Sequence, residues 1–217
     1  MEKKYILFDL DGTLTDSFEG ITKSVKYALL HYNIKVDDLE GLRKFIGPPL
    51  IDSFKAFYNF NEEESKKAVE KYRERFSKTG IFENRVYDGI YELLEKLKAE
   101  NKILIVATSK PKVFADRIIK HFNLDKYFDD VCGSNLDGTL NDKSEVIAFA
   151  IKNNKIKNLE QVIMIGDRKH DIIGAKQNSI ESIGVLYGYG SLEELTNEHV
   201  DYIAHDVLEL GKILLDK

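Results

Sequence analysis

Two acidic side chains follow the first apolar run of the sequence, residues 5–8. They are Asp9 and Asp11, and Gly12 comes directly after them. An extended backbone directs side chains two residues apart to the same side, and a glycine allows the chain to turn sharply. Two such carboxylates can divide a reaction, one as a nucleophile beside a hard cation and one as a general acid and base. Because Asp and Gly are also frequent in simple turns, this motif alone does not separate chemistry from a turn.

Two further groups of polar residues stand next to predicted strands or helices. Thr108 and Ser109 follow the apolar run 102–107, where a hydroxyl and backbone N–H groups can bind a phosphoryl oxygen. Ser and Thr also favour the beginnings of helices, so this pattern has a purely structural explanation as well. Lys143 precedes a predicted helix and can offer a fixed positive charge to a phosphate, although one lysine among many means little by itself.

Two more aspartates follow the apolar run 161–165. Asp167 comes after Gly166 at the end of that run and can reach a cation held by Asp9. Asp171 lies one helical turn further on, where it can bind the metal, hold a metal-bound water or orient its neighbours. An acidic residue in the first turn of a helix also suits the helix dipole, which is the structural alternative for Asp171.

The elements that must position these residues form an alternating pattern. Near-continuous runs of Val, Ile and Leu, separated by amphipathic helical segments, are typical of a parallel sheet covered on both faces. Strands are predicted at 5–8, 102–107, 161–165, 181–186 and 202–204, and helices at 89–100, 113–122, 144–153, 191–196 and 207–215. The sequence therefore predicts a doubly wound, Rossmann-like α/β core.

Residues 16–85 have a different pattern, since helix signals dominate there and no strand-like run appears. We predict that this segment is a helical cap domain and that the core consists of residues 1–15 and 86–217. A segment inserted after the first strand is expected over the carboxyl ends of the sheet, where open α/β folds bind ligands.

Three local signals subdivide the predicted cap. Asn61 and Glu64 have the spacing of a capping box, and Gly80 suits the left-handed residue that ends a helix. Gly47 and Pro48 belong to a Gly-Pro-Pro break that would make a rigid turn, so we predict that they contribute to substrate specificity.

Composition excludes several classes of protein. The formal net charge of −5 argues against a nucleic-acid coat protein, and 43% hydrophobic residues suffice for a buried core. The single cysteine, Cys132, cannot form an intramolecular disulfide, which favours a reducing compartment. No apolar run approaches the ~20 residues that span a bilayer, and acidic residues interrupt the N-terminal apolar stretch. We therefore expect a soluble, cytoplasmic protein that binds neither a membrane nor a nucleic-acid polymer.

The order of these motifs resembles that of the haloacid dehalogenase superfamily of phosphatases, and the resemblance covers essentially the whole chain. The matching residues are Asp9-Leu10-Asp11-Gly12-Thr13, Thr108-Ser109, Lys143, and Gly166-Asp167 with Asp171. The resemblance implies that Asp9 forms an aspartyl phosphate and that Asp11 protonates the leaving alcohol and later activates water. It also implies Mg²⁺ bound by Asp9, the backbone carbonyl of Asp11 and Asp167, and phosphate bound by Thr108, Ser109 and Lys143.

The resemblance reduces the range of substrate classes but does not identify one substrate. Dehalogenases of this family lack the second carboxylate, whereas Asp11 is present, so phosphorus chemistry is favoured. Residues 166–171 and 184–191 look most like a 5′-nucleotidase-like branch close to the phosphoglycolate phosphatases, acting on a small phosphorylated metabolite. The alternatives are a mutase of the β-phosphoglucomutase type, a pyrophosphatase, or a non-enzymatic domain that binds phosphorylated ligands or a protein partner. The sequence is silent on oligomeric state.

Two glycine-containing segments are predicted to be loops without catalytic residues. Residues 135–139 repeat the first motif with an amide, Asn135, in place of Asp9, and an amide cannot act as an anionic nucleophile. Residues 187–190, Tyr-Gly-Tyr-Gly, lack the spacing of a nucleotide-binding fingerprint and are predicted to form a mobile loop.

Overall fold

The computed structural model describes residues 2–215. Its chain divides into two compact units. The core unit comprises Met1–Asp16 and Val86–Lys217, and the helical unit comprises Ser17–Arg85. The described strands are β1 (Tyr5–Phe8), β2 (Thr15–Asp16), β3 (Arg85–Val86), β4 (Ile103–Pro111), β5 (Asp130–Ser134), β6 (Val162–Gly166), β7 (Glu181–Val185) and β8 (Tyr202–Ala204).

The described α-helices are α1 (Phe18–Leu30), α2 (Leu50–Tyr58), α3 (Glu62–Phe76), α4 (Ile90–Ala99), α5 (Lys112–His121), α6 (Lys143–Asn153), α7 (Lys169–Gln177), α8 (Leu192–Asn197) and α9 (Val207–Leu215). Short 3₁₀ helices lie at Glu40–Phe45, Gly80–Phe82 and Leu159–Gln161. Within residues 2–215 no helix is both long enough and apolar enough to cross a membrane.

The core unit contains a six-stranded sheet in the order β5-β4-β1-β6-β7-β8, and every neighbouring pair is parallel. β1 lies inside the sheet, with Tyr5 paired to Ile103 of β4 on one side and to Val162 of β6 on the other. The three residues of β1 after Tyr5 are fully buried, as expected of a strand that is covered by helices on both faces. The predicted doubly wound α/β core is confirmed.

The strand order reverses at β1. From β4 the chain continues outward to β5, and it then crosses to β6 on the other side of β1. In open α/β sheets such a switch point leaves a crevice at the carboxyl ends of the strands. The residues that follow β1, β4 and β6 therefore meet at one edge of the sheet.

Two strands differ from the sequence prediction. β5 was not among the predicted strands, because its short apolar run, Val131 and Cys132, is flanked by Asp130 and Gly133 and resembles a loop. β4 extends to Pro111, beyond the predicted end at residue 107, and its pairing with β5 is irregular between Thr108 and Pro111.

The helical unit is built on α1, α2 and α3, with α3 packed against the other two. The predicted capping box is present: the Asn61 side chain accepts a hydrogen bond from the Glu64 N–H (3.0 Å), and the Glu64 carboxylate accepts one from the Asn61 N–H (2.8 Å). The predicted role of Gly80 is wrong. α3 ends at Phe76 and is followed by a right-handed Ser77, whereas Gly80 begins a 3₁₀ helix.

Close packing inside the helical unit explains the glycine at position 80. A Cβ atom there would lie 2.5 Å from the Ser24 Oγ and 2.8 Å from the Gly20 carbonyl oxygen. The glycine therefore permits a close backbone approach and does not supply a left-handed turn. β2 and β3 form a separate two-stranded sheet, so Thr15 and Val86 of the core unit lie on neighbouring strands.

Candidate active site

Asp9 and Asp11 lie where β1 ends in a tight turn. The Asp9 N–H donates to the Ile165 carbonyl at 2.9 Å, which continues the pairing of β1 with β6 for one more residue. Gly12 then adopts a φ of +87°, and its N–H donates to the Thr15 carbonyl at 2.8 Å. The Asp9 and Asp11 side chains are nearly inaccessible to solvent. Only glycine suits position 12, since its φ is positive and a Cβ atom would lie 2.2 Å from an Asp167 oxygen.

Lys143, the first residue of α6, lies between two carboxylates. Its Nζ is 2.7 Å from Asp9 Oδ1 and 2.8 Å from Asp171 Oδ1, and it donates to the Ala107 carbonyl at 3.1 Å. Burial alone would lower the pKa of Lys143, but the charges of Asp171 and Asp9 outweigh it and hold that pKa above its ordinary value. Lys143 is therefore a buried cation at the end of β1.

Asp167 follows β6 and is completely buried. Its Oδ2 accepts a hydrogen bond from the Tyr189 N–H at 2.7 Å, while its Oδ1 has no hydrogen-bond partner among residues 2–215. Burial raises the pKa of Asp167 well above its usual range, and the charges of Asp171 and Asp9 raise it further. An unpartnered, buried carboxylate oxygen is costly unless a cation or proton compensates it.

Asp171 lies in the first turn of α7, and its Oδ2 accepts a hydrogen bond from the Arg168 N–H at 3.1 Å. Burial raises the pKa of Asp171 to about 6, because the lowering effect of Lys143 only partly offsets burial and the neighbouring Asp9. Both of its oxygens are engaged, one by this N–H and one by Lys143. Asp171 therefore contacts both the N-terminus of α7 and the Lys143 ammonium group.

The carboxylates of Asp9, Asp167 and Asp171 fit a hard divalent cation. One oxygen from each lies within 4.8 Å of the others, and all three residues are buried. Only Asp9 and Asp171 are paired with an ammonium group, Lys143, and Asp167 is paired with no cation of the described residues, so the cluster carries excess negative charge. Oxygen donors with excess negative charge are what Mg²⁺ prefers, and Asp167 Oδ1 is an available donor.

Thr108 and Ser109 lie in the irregular part of β4, next to the end of β1 in the sheet. Thr108 is 2% exposed, and its Oγ1 accepts a hydrogen bond from the Lys110 N–H at 3.2 Å. The carbonyl of Ser109 accepts a hydrogen bond from Ser134 Oγ at 2.8 Å. The fold thus brings both residues to the same edge of the sheet as Asp9.

Lys110 was not among the predicted site residues. Its Nζ is 2.8 Å from Asp11 Oδ2, and both side chains are at most a tenth exposed. A basic residue two positions after Thr108, at a strand end, was the available signal. The contact depends on the irregular end of β4, which the sequence pattern does not predict.

The other residues singled out in the sequence lie outside this cluster. Gly47 belongs to the helical unit and has a φ of +105°, a backbone conformation that favours glycine, and Pro48 is partly buried. Their role in specificity stays a prediction. Residues 135–139 form the predicted loop, which is closed by a hydrogen bond of 3.0 Å from the Asn135 N–H to the Thr139 carbonyl.

Comparison with known proteins is consistent with this site. Residues 6–185 match the family described as haloacid dehalogenase-like hydrolase. The chain is 48% identical over 209 residues to a 5′-nucleotidase of Pseudomonas aeruginosa, a match that covers 96% of this chain and 94% of that protein. It is 31% identical over 205 residues to a phosphoglycolate phosphatase of Colwellia psychrerythraea, with 89% of each chain covered.

A solved structure extends the comparison to three dimensions. The crystal structure of a predicted phosphatase from Clostridium acetobutylicum superimposes with a TM-score of 0.97 at 53% identity, and 99% of each chain is covered. The family match spans most of the sequence, from β1 to the end of β7, and includes every residue of the buried cluster. The chain belongs to the haloacid dehalogenase-like hydrolase family.

Proposed function

We propose that this protein is a Mg²⁺-dependent phosphomonoester hydrolase that acts on a small phosphorylated metabolite through an aspartyl phosphate on Asp9. The buried cluster of Asp9, Lys143 and Asp167 at the end of β1 carries the proposal. It combines a carboxylate nucleophile, a fixed positive charge and an unpartnered oxygen for a cation. These are the components that phosphoryl transfer requires, since its transition state is stabilised mainly by positioning and by positive charge.

In the first half of the reaction, an Asp9 oxygen attacks phosphorus and the bond between phosphorus and the alcohol oxygen breaks. The departing oxygen keeps the electron pair and takes a proton from Asp11. In the second half, Asp11 accepts a proton from water while the water oxygen bonds to phosphorus. The bond to Asp9 then breaks and releases inorganic phosphate, which restores both carboxyl groups.

Asp9, Asp167 and the backbone carbonyl of Asp11 would hold Mg²⁺, which supplies positive charge that offsets the negative charge of the nucleophile and of the phosphoryl oxygens. The available Oδ1 of Asp167 supports this assignment. Asp171 has both oxygens engaged, so we assign it the role of orienting Lys143.

Lys143, with Thr108 and Ser109 at the end of β4, binds the phosphoryl oxygens during transfer. The names of the relatives suggest two substrate classes, nucleoside 5′-monophosphates and phosphoglycolate. We assign the helical unit the role of a cap that selects among such esters, with Gly47 and Pro48 contributing to the choice.

The test is phosphate release from a panel of nucleoside 5′-monophosphates, phosphoglycolate, sugar phosphates and pyrophosphate, with and without Mg²⁺. Asp9→Asn should reduce turnover on the order of 10³-fold or more while the fold is retained. The chain provides a matched control: Asp137 lies in a second Leu-Asp-Gly-Thr-Leu sequence, in an exposed turn, so Asp137→Asn should leave turnover unchanged.

Other outcomes would select the alternatives. Turnover of pyrophosphate alone would identify a pyrophosphatase. Transfer of phosphate between two positions of a sugar, without release to water, would identify a mutase. No turnover of any compound in the panel, with or without Mg²⁺, would leave a domain that only binds phosphorylated ligands.

A further inference from the structure

The segment Tyr187–Gly190, between β7 and α8, packs directly against Asp167. The Tyr189 N–H donates to Asp167 Oδ2 at 2.7 Å. A Cβ atom on Gly188 would lie 2.5 Å from the Asp167 Cβ and 2.3 Å from the Gly12 carbonyl oxygen. A Cβ atom on Gly190 would lie 1.8 Å from the Asp167 carbonyl oxygen. Both glycines are therefore needed for the segment to approach Asp167 this closely.

The two tyrosine hydroxyls attach the same segment to the chain that follows Asp9. The Tyr187 hydroxyl donates to the Thr13 carbonyl at 3.1 Å, and the Tyr189 hydroxyl donates to the Asp16 carboxylate at 2.8 Å. The Tyr187 ring also packs edge-on against Tyr87, with ring centroids 5.0 Å apart. The Tyr-Gly-Tyr-Gly sequence predicts a mobile loop here, but these specific contacts are those of a fixed segment.

The Tyr189 N–H has a definite effect on Asp167. It occupies Oδ2, and within residues 2–215 it leaves Oδ1 without a hydrogen bond. A hydrogen bond to one oxygen of a ligating carboxylate fixes the direction of the other, in the way that outer partners orient the ligands of metal sites. The tyrosine hydroxyls fix this N–H relative to Thr13 and Asp16, in the turn that follows Asp9 and Asp11.

We infer that Tyr187–Gly190 is a positioning segment that aims the free oxygen of Asp167 at the cation and fixes its place relative to Asp9. Gly188 and Tyr189 are its positioning residues. The inference rests on the proposed function, because it assumes that Asp167 binds a metal ion.

Two substitutions disturb the segment in different ways. Tyr189→Phe keeps the N–H and the ring but removes the hydroxyl that is bonded to Asp16, and we expect metal affinity to fall about 3- to 10-fold. Gly188→Ala inserts a methyl group against Asp167 and the Gly12 carbonyl, and we expect a loss of roughly 10- to 100-fold, the range seen when outer partners of a metal site are altered.

The measurement is Mn²⁺ binding, which is detected as a loss of the electron paramagnetic resonance signal of the free ion. Competing Mg²⁺ should reverse this loss. Mn²⁺ suits the same oxygen donors as Mg²⁺. Two matched controls are available. Tyr91→Phe removes another tyrosine hydroxyl bond, 2.9 Å to the Phe122 carbonyl, and Gly211→Ala places a methyl group at an ordinary 3.5 Å from a Leu93 methyl carbon. Both controls should bind Mn²⁺ as the unmodified protein does.

A second readout separates positioning from general destabilisation. If the segment acts through the metal ligand, turnover by Tyr189→Phe should recover at high Mg²⁺ concentration, with an unchanged KM for the phosphate ester. Melting temperatures show whether each variant folds. If Gly188→Ala does not fold, the Mn²⁺ affinity of Tyr189→Phe alone tests whether the segment positions Asp167.

Unchanged Mn²⁺ affinity in folded Tyr189→Phe and Gly188→Ala would overturn the inference and leave the proposed function intact. A different result would overturn both: if the unmodified protein bound no Mn²⁺, the metal dependence of the hydrolase itself would be wrong. The two failures are therefore distinguishable in one set of titrations.

Discussion

At the scale of single residues, the site is defined by an imbalance of charge. Asp9, Asp167 and Asp171 face one buried ammonium group, Lys143, which is paired with two of them. Asp167 is paired with neither Lys143 nor another cation of the described residues, and its pKa is raised by burial and then by Asp171 and Asp9. Without a metal ion the ionised cluster should therefore destabilise the fold at neutral pH.

This imbalance predicts an effect of Asp167→Asn on stability. A carboxyl group whose pKa is raised in the folded state binds its proton more tightly there, so its contribution to stability falls as pH rises. Because the pKa of Asp171 is raised to about 6, its contribution to stability is lost between about pH 4 and pH 6. The pKa of Asp167 is raised well above its usual range, so the loss of stability continues to higher pH. In EDTA at pH 7.5, Asp167→Asn should be more stable than the unmodified protein by about 1–3 kcal/mol.

Melting temperatures between pH 4.5 and 8, in EDTA and in Mg²⁺, check this prediction. In EDTA the advantage of Asp167→Asn should shrink toward pH 4.5, where the aspartate is protonated. In Mg²⁺ the order should reverse, because only the unmodified protein gains binding energy. A variant less stable than the unmodified protein in EDTA at every pH would contradict it.

The pair Lys110–Asp11 gives a prediction about the proposed proton donor, Asp11. Lys110 Nζ lies 2.8 Å from Asp11 Oδ2, so the lysine holds this carboxyl group in place. Lys110→Met should lower kcat for alkyl phosphates about 10- to 100-fold, since general acid catalysis contributes about 10²–10⁴-fold. The loss should be smaller for p-nitrophenyl phosphate, whose leaving group needs little protonation.

Steady-state kinetics with both esters test the pair. Lys112→Met is the matched control, because Lys112 pairs with Asp116 on the exposed surface of α5. An equal loss of kcat for both esters would show that Lys110 does not act through Asp11 as the proposed proton donor.

At the scale of secondary-structure elements, β1, β4 and β6 could be predicted because parallel strands buried on both faces are continuous apolar runs. β5 could not, since a strand with one apolar pair between Asp130 and Gly133 has no periodicity. The left-handed cap predicted at Gly80 is wrong, because a glycine near a helix end is equally consistent with such a cap and with close packing, and only tertiary contacts distinguish the two.

Part of the candidate site could likewise be predicted from the sequence. Asp9, Asp167 and Lys143 stand next to recognisable strands or helices, so their meeting follows from the order of the sheet. The contacts of Lys110 and Tyr189 could not be predicted. They depend on an irregular strand end and on a loop whose path is fixed by two tyrosine hydroxyls.

The capping box of α3 allows a prediction at this scale. Asn61→Ala removes the side chain that accepts from the Glu64 N–H, which should cost about 1 kcal/mol of stability. Two residues further on, in the first turn of α3, Glu63→Ala removes an exposed ion pair with Lys67 and should cost less than about 0.5 kcal/mol. Thermal unfolding measures both. Because α3 belongs to the helical unit, Mn²⁺ affinity should be unchanged in both variants, and a large change in Asn61→Ala would contradict this.

At the scale of the whole molecule, the residues of the candidate cluster all belong to the core unit. Asp16 and Val86 belong to neighbouring strands, so a short Gly-Ser linker can replace residues 17–85. We expect the resulting protein to bind Mn²⁺ within about threefold of the full chain, while its preference among phosphate esters is lost.

Circular dichroism establishes whether the shortened protein folds, and the same Mn²⁺ titration and ester panel then apply to it. Retained discrimination among esters would show that the helical unit does not select the substrate. Loss of Mn²⁺ binding by a folded protein would place part of the metal site outside the core unit.

The register of β1 also determines how the protein assembles during its synthesis. Tyr5 pairs with Ile103 and Val162, so β1 has neither of these partners until β4 leaves the ribosome and stays half-paired until β6 does. At 5–20 residues per second, the interval between those two events is roughly 3–12 s. The helical unit is one continuous segment that is synthesised entirely before β4, so it can fold while β1 is still unpaired. We therefore expect a ribosome-bound chaperone to meet a nascent chain in which the helical unit can be folded while the apolar strand β1 is still exposed.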